Sequence, residues 1–232
     1  MTDLRAYQQA NAAQAAIADT QAHLALHHLQ TACQYSSRLA QIEQENAGKP
    51  FGAFWADILY GSLGVAALTV LFLDDCADRL YIDDCVNPVV GRDANAAARP
   101  AEPVGSEDIL RKYSDAMEIW VGKPLDYSVA PVQNVDALIK LRNKVAKLLL
   151  NQQRDEPELY DNLPFVLHDK FESSAFFPDE PVLPRAWASY SFATWAIRST
   201  VEFLEYFYSE AGVPSPIAGL KPQLSHLSGL AI

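Results

Sequence analysis

Apolar positions along this chain recur mostly at intervals of three and four, the spacing that lines one face of a helix. From Asp3 to about Ala47 the sequence is almost free of Gly and Pro and rich in Ala, Gln, Leu and His, which predicts a long helix with room for one break. Ile17, Leu24, His28, Thr31, Tyr35 and Ile42 fall on one side of it, a seam suited to packing along another helix. Gly48-Lys49-Pro50 ends it. A second helix is expected from about Phe54 to Asp83, with sixteen uncharged residues between Asp57 and Asp74. That run includes Gly61, Ser62 and Gly64 and is shorter than the ~20 apolar residues of a membrane span, so it reads as a buried core helix.

Asn87 to Gly105 holds Pro88, Gly91, Pro100 and Pro103 without a period and is expected to be an exposed loop. Ser106 is a fitting N-cap for a short third helix, with Glu107 and Asp108 in the first turn and Ile109, Leu110, Tyr113, Met117 and Trp120 along it. A fourth helix is expected from near Val132 to near Gln153, burying Val135, Leu138, Ile139, Val145, Ala146 and Leu149, with Arg142 in the middle of the stripe. Four prolines break Asp155 to Pro184 and leave room for one short helix around Phe165 to Ser173. The last long helix is expected from near Pro184 to Gly212, with Trp187, Tyr190, Thr194, Ile197, Val201, Leu204 and Tyr208 spaced alternately three and four. No segment alternates like a strand, and no repeat recurs at a fixed period. The expected fold is all-α, an antiparallel bundle of about five to six helices in a single domain over 1–212, with an irregular tail over 213–232 on the surface.

Composition narrows the setting. The chain has 232 residues, half of them hydrophobic and a fifth charged, which suits an ordinary globular core. Met1 to Ala16 lacks the basic start and apolar block of a signal peptide, and Cys33, Cys76 and Cys85 have no Cys-x-x-Cys spacing, so a cytoplasmic location without membrane contact is expected. A net charge of −11 opposes general attraction to nucleic acid phosphates. One local exception stands out: Lys140, Arg142, Lys144, Lys147 and Arg154 lie in a stretch, 137–154, that contains no acid. Such a stretch reads equally as a phosphate-facing patch or as a solvated helix face paired with acids elsewhere.

Four constellations carry candidate chemistry. Arg142-Asn143, with Lys147 five positions after the Arg, sets a guanidinium inside an apolar stripe, where it needs a carboxylate, a carbonyl or a second subunit. Asp74, Asp75, Asp78 and Glu202 are the candidate acids for it. Asp74-Asp75-Cys76-Ala77-Asp78 matches the Asp-Asp-x-x-Asp pattern that holds magnesium in isoprenoid enzymes, but acids near a helix C-terminus also call for cationic partners, with Arg142 and Arg198 as candidates. Asp19, His23 and His27 share a helix face at metal-ligand spacing and lack an evident further ligand, whereas His28, on the seam, reads as a hydrogen-bonded core histidine. The aromatic series Tyr190, Phe192, Trp195, Phe203, Tyr206, Phe207 and Tyr208 reads as core before it reads as a base-stacking platform. There is no Gly-x-Ser-x-Gly elbow or phosphate-cradling loop, and no cofactor is expected.

The segment Leu138-Ile-Lys-Leu-Arg142-Asn143-Lys-Val-Ala-Lys147 resembles the signature helix of the HEPN superfamily. The wider layout is similar too, through Gly48-Lys-Pro-Phe-Gly-Ala-Phe-Trp55, Phe176-Phe-Pro, Pro184-Arg-Ala-Trp-Ala-Ser189 and Trp195-Ala-Ile-Arg-Ser199. The resemblance implies an all-α, usually dimeric protein, and in many members a metal-independent ribonuclease whose His takes the 2′-hydroxyl proton while Arg steadies the phosphate. Here Lys147 stands where that His would be, and the acidic stretch of the second helix reads Leu68-Thr-Val-Leu-Phe-Leu73-Asp74-Asp75. A lysine at its reference pKa of about 10.4 is a poor base at neutral pH. The expectation is therefore a homodimer that binds RNA or protein without catalysis; the alternatives are a ribonuclease completed by Lys147 or His168, and a magnesium enzyme using Asp74, Asp75 and Asp78.

Overall fold

The computed structural model describes residues 2–49, 52–86, 109–149 and 162–229, with side chains over 24–49, 52–80, 109–147 and 162–229. Among these residues every regular element is a helix, as the spacing predicts. They are α1 (Thr2–Asn46), α2 (Phe54–Val86), α3 (Ile109–Val121), α4 (Ala130–Leu149), α5 (Leu163–Leu167), one π-helical turn (Val182–Ala186), α6 (Tyr190–Ala211) and α7 (Lys221–Ser228). The expected loop over Asn87–Gly105 and the Ser106 cap lie outside the described residues. The chain divides into two compact units, one of residues 1–28 and 71–125, the other of 29–70 and 126–232.

In the second unit α1 and α2 run antiparallel at close range. A side chain on Gly61 would meet Leu39 Cδ2 at 2.9 Å, and one on Gly64 would meet the Tyr35 ring at 2.8 Å. This close approach corrects the predicted seam. Ile42 is buried as expected, but Leu24 and Tyr35 are 54% and 43% exposed, and the buried column is Ala25, Leu29, Ala32, Ser36 and Leu39, one residue further round the helix. Gly61 and Gly64 of α2 make the room for Leu39 and for the Tyr35 ring, so Tyr35 touches α2 while staying partly exposed.

Two further expectations are corrected by local backbone chemistry. The last long helix starts at Tyr190, not near Pro184: Leu183 before the cis Leu183–Pro184 peptide is extended (ψ 143°), and Ser189 caps α6 by accepting from Phe192 N at 3.0 Å. Its end is as read, with Gly212 at φ 68° and Val213 N donating to Tyr208 O at 3.1 Å. The chain after Gly212 is not wholly irregular, since α7 forms there, Ile217 and Leu224 are buried, and Ser37 Oγ donates to Leu227 O. α5 is shorter and starts earlier than expected, with Pro164 in its first turn.

α6 packs on α4 and is buried on several sides, carrying Phe192, Trp195, Ile197, Thr200, Val201, Phe203, Leu204 and Phe207 inward. The aromatics therefore form core: rings of Phe171, Trp187, Phe192 and Trp195 lie 5.0 to 6.0 Å apart. On α4 the buried face is Val132, Val135, Ala137, Leu138, Ile139, Leu141 and Val145, while Ala146, expected inside, is exposed. In α2 the uncharged run buries Ile58, Ser62, Val65, Val70, Phe72 and Leu73 and exposes Tyr60 and Leu71. By length and composition its segment Phe54–Leu80 is long and apolar enough to cross a membrane, and 44% of its most apolar stretch is buried.

Candidate functional site

The second unit holds the residues that carry the sequence resemblance. Arg142, Asn143 and Lys147 lie on α4 and are half-buried, flanked by the buried Leu141 and Val145. Lys140 on the same helix pairs with Asp136 one turn earlier at 2.7 Å. Arg142, Lys144 and Lys147 are each engaged in interactions of their own. Much of this basic stretch is thus occupied within the protein.

An imidazole for Arg142 would have to come from another element, because α4 has no His. His168 follows α5, which packs on α4, but it is 76% exposed and its Nδ1 lies 2.8 Å from Asp169 Oδ1. Lys170, two residues on, donates to Asn134 Oδ1 at 2.6 Å, which fixes that turn to the first half of α4. Asn134 and Arg142 are eight residues apart, about 12 Å along the helix axis. Cys33 is no nucleophile either: burial pushes its thiol up to about 11, against a smaller opposing pull from its Ser228 hydrogen bond.

The first unit gathers the acids of α2. Lys112 of α3 is 7% exposed and donates from Nζ to Asp74 Oδ1 at 2.8 Å and to Asp78 Oδ1. Beside it Tyr113 Oη donates to Leu73 O at 2.9 Å, so α3 grips one stretch of α2 through two consecutive residues. Asp75 points elsewhere, its Oδ2 3.0 Å from His28 Nδ1 on α1. The two atoms are buried, and His28 acts on the carboxylate both by charge and by a side-chain hydrogen bond. Among the described residues, Lys112 lies between Asp74 and Asp78, and His28 lies beside Asp75.

Burial alone would push Lys112 down, yet its two carboxylates more than offset this and hold it above the usual lysine range. Burial pushes the Asp75 carboxyl up, the His28 charge pulls it back, and Asp74 and Asp78 add a further upward push. An ammonium thus already occupies the space between Asp74 and Asp78 where a divalent ion would bind. Among the described residues no three His, Cys, Asp or Glu side chains converge on a metal-sized point. Of the Asp19, His23 and His27 face, only His27 has a described side chain, and it is exposed. Cys76, next in sequence to Asp75, is a buried thiol pushed up to about 12 by desolvation first and then by Asp75.

Compared with protein-family models, curated proteins and solved structures, the chain finds no match.

Proposed function

We propose that this chain is a HEPN-like cytoplasmic helical protein that acts as a homodimer by binding or regulation, without catalysis. The observation that carries the reading is on α4: a half-buried guanidinium and its polar neighbour are present, and an ammonium stands at the position where the related ribonucleases need an imidazole. Support comes from the surroundings. His168 is held by Asp169 on an exposed turn, and the thiol of Cys33 is buried and protonated, so neither supplies the missing base. Exposed Tyr35 and Tyr60, at 43% and 67%, offer apolar area of the kind a second subunit covers.

The test is incubation of the purified protein with structured and unstructured RNA, with and without chelator, alongside Arg142→Ala and Lys147→His. No cleavage by the native chain is expected, and the Lys147→His variant is expected to gain detectable metal-independent cleavage. Native cleavage abolished by Arg142→Ala would establish a ribonuclease instead, and chelator-sensitive turnover would redirect attention to the acidic helix. A folded Lys147→His protein without activity would remove the inferred relationship to the nucleases. Sedimentation at micromolar concentration reads the dimer directly, and a monomer would contradict that part of the proposal.

A further inference from the structure

Two exposed tyrosines of the second unit lie on one face of the antiparallel α1 and α2. The Tyr35 ring of α1 rests on Gly64 of α2, and Tyr60 stands one turn before that glycine on the same side of the helix. They keep 43% and 67% of their surface in solvent. Leu63, Gly64 and Ala67 are half-buried beside them, so the centre of the face is shallow and apolar. Each ring has one charged residue a turn away on its own helix: Arg38 follows Tyr35, and Asp57 precedes Tyr60. Both are exposed. Arg38 Nη1 donates to Gln41 Oε1 at 2.8 Å, and among the described residues no ion pair joins either Arg38 or Asp57.

We propose that this face receives a second copy of the chain, α1 of each copy lying over α2 of the other about a twofold axis that runs along the helix pair. The inference rests on the homodimer reading above and gives it an address. Charge selects the occupant. A twofold contact brings residue i to j and j to i, so one cation and one anion on different helices satisfy each other twice, as Arg38 to the partner's Asp57 and Asp57 to the partner's Arg38. Because Leu39 is level with Gly61, Arg38 and Asp57 are offset by about 8 Å along the axis, a span that the long arginine side chain can cross. The rings supply the apolar contact, each with few rotatable bonds to immobilise. A net charge of −11 sets two copies against each other at a distance, which makes a face whose own charges cancel the place where they can meet. The same net charge turns away nucleic acid and acidic lipid, for which this face offers a single cation.

Sedimentation equilibrium of the full chain tests this with Arg38→Asp, Asp57→Arg and Tyr60→Glu. Each charge reversal sets like charges together at both symmetric points and is expected to weaken self-association about tenfold. An equal mixture of Arg38→Asp with Asp57→Arg is expected to recover the native association, because in the mixed dimer both points join opposite charges. Tyr60→Glu is expected to sediment as a monomer with the circular dichroism of the native chain. A dimer that survives Tyr60→Glu, or a mixture that associates no better than its two components, overturns this face and leaves the homodimer standing on another. A native chain that is monomeric overturns both. Should Tyr60→Glu fail to fold, the mixture decides by itself, since its two substitutions lie on exposed positions.

Discussion

A lysine with 7% of its side chain exposed is tolerated in an apolar helix face only because carboxylates reach it. Removing the ammonium leaves Asp74, itself 18% exposed, without its cation, so Lys112→Met is expected to destabilise the chain by about 3 kcal/mol in urea unfolding. Adding Asp74→Asn to that variant is expected to recover part of the loss, and an unchanged midpoint in Lys112→Met would contradict the role given to the pair. The raised Lys112 pKa fixes the pH sign: the stabilisation is complete below the ordinary lysine value of 10.5 and disappears as pH climbs through the higher folded value. The need for a cation near Asp74 is legible from three acids crowded on one helix. Its identity is not, since Lys112 lies 38 residues away across a segment with no periodic signal.

Helices as units are legible wherever Gly and Pro are absent, and poorly so where several breakers compete. α1 and α2 appear close to their expected limits and α4 starts close to its own, whereas the region before α6 holds Pro178, Pro181 and Pro184 and starts its helix only at Tyr190. Ser189 is the legible signal there, a hydroxyl three residues ahead of the Phe192 amide it accepts from. Ser189→Ala is expected to cost about 1 kcal/mol with an unchanged denaturant slope. A loss below a few tenths would mean that Glu43, whose Oε1 accepts from Tyr190 N at 2.7 Å, already caps the helix adequately. The expected seam of α1 is off by one column because hydrophobicity alone favours Leu24 and Tyr35. Gly61 and Gly64 of α2 receive Leu39 and Tyr35, and that fit belongs to the pair of helices, not to either alone.

Over the whole molecule the all-helical fold class is legible in the sequence, and of the candidate site only its residues' common helix is. The signature residues sit together on α4 as the spacing requires, yet the surroundings of Arg142 depend on contacts that no local pattern encodes. Global opening has a direct chemical reporter in the thiols. With Cys33 and Cys76 pushed from 9.0 to about 11 and about 12, their thiolate fractions at pH 8 fall roughly a hundredfold and a thousandfold. Alkylation followed by peptide mass mapping is expected to show both labelled at least about a hundredfold more slowly in buffer than in denaturing urea. Rapid native labelling of either would mean that its surroundings open far more often than the packing implies.

Each of the two units is assembled from separated stretches of sequence, and this bears on how the protein is made. Residues 29–70 leave the ribosome before 71–125, yet they pack with residues 126–232: Glu43 waits for Tyr190, Trp55 for Phe177 and Ser37 for Leu227. At typical translation speeds the intervening stretch alone takes about 3 to 11 s to synthesise. During that delay the nascent polypeptide displays the flank of α2 that Phe177 later covers, with α1 alone made early enough to pack on the helix, a natural point for chaperone engagement.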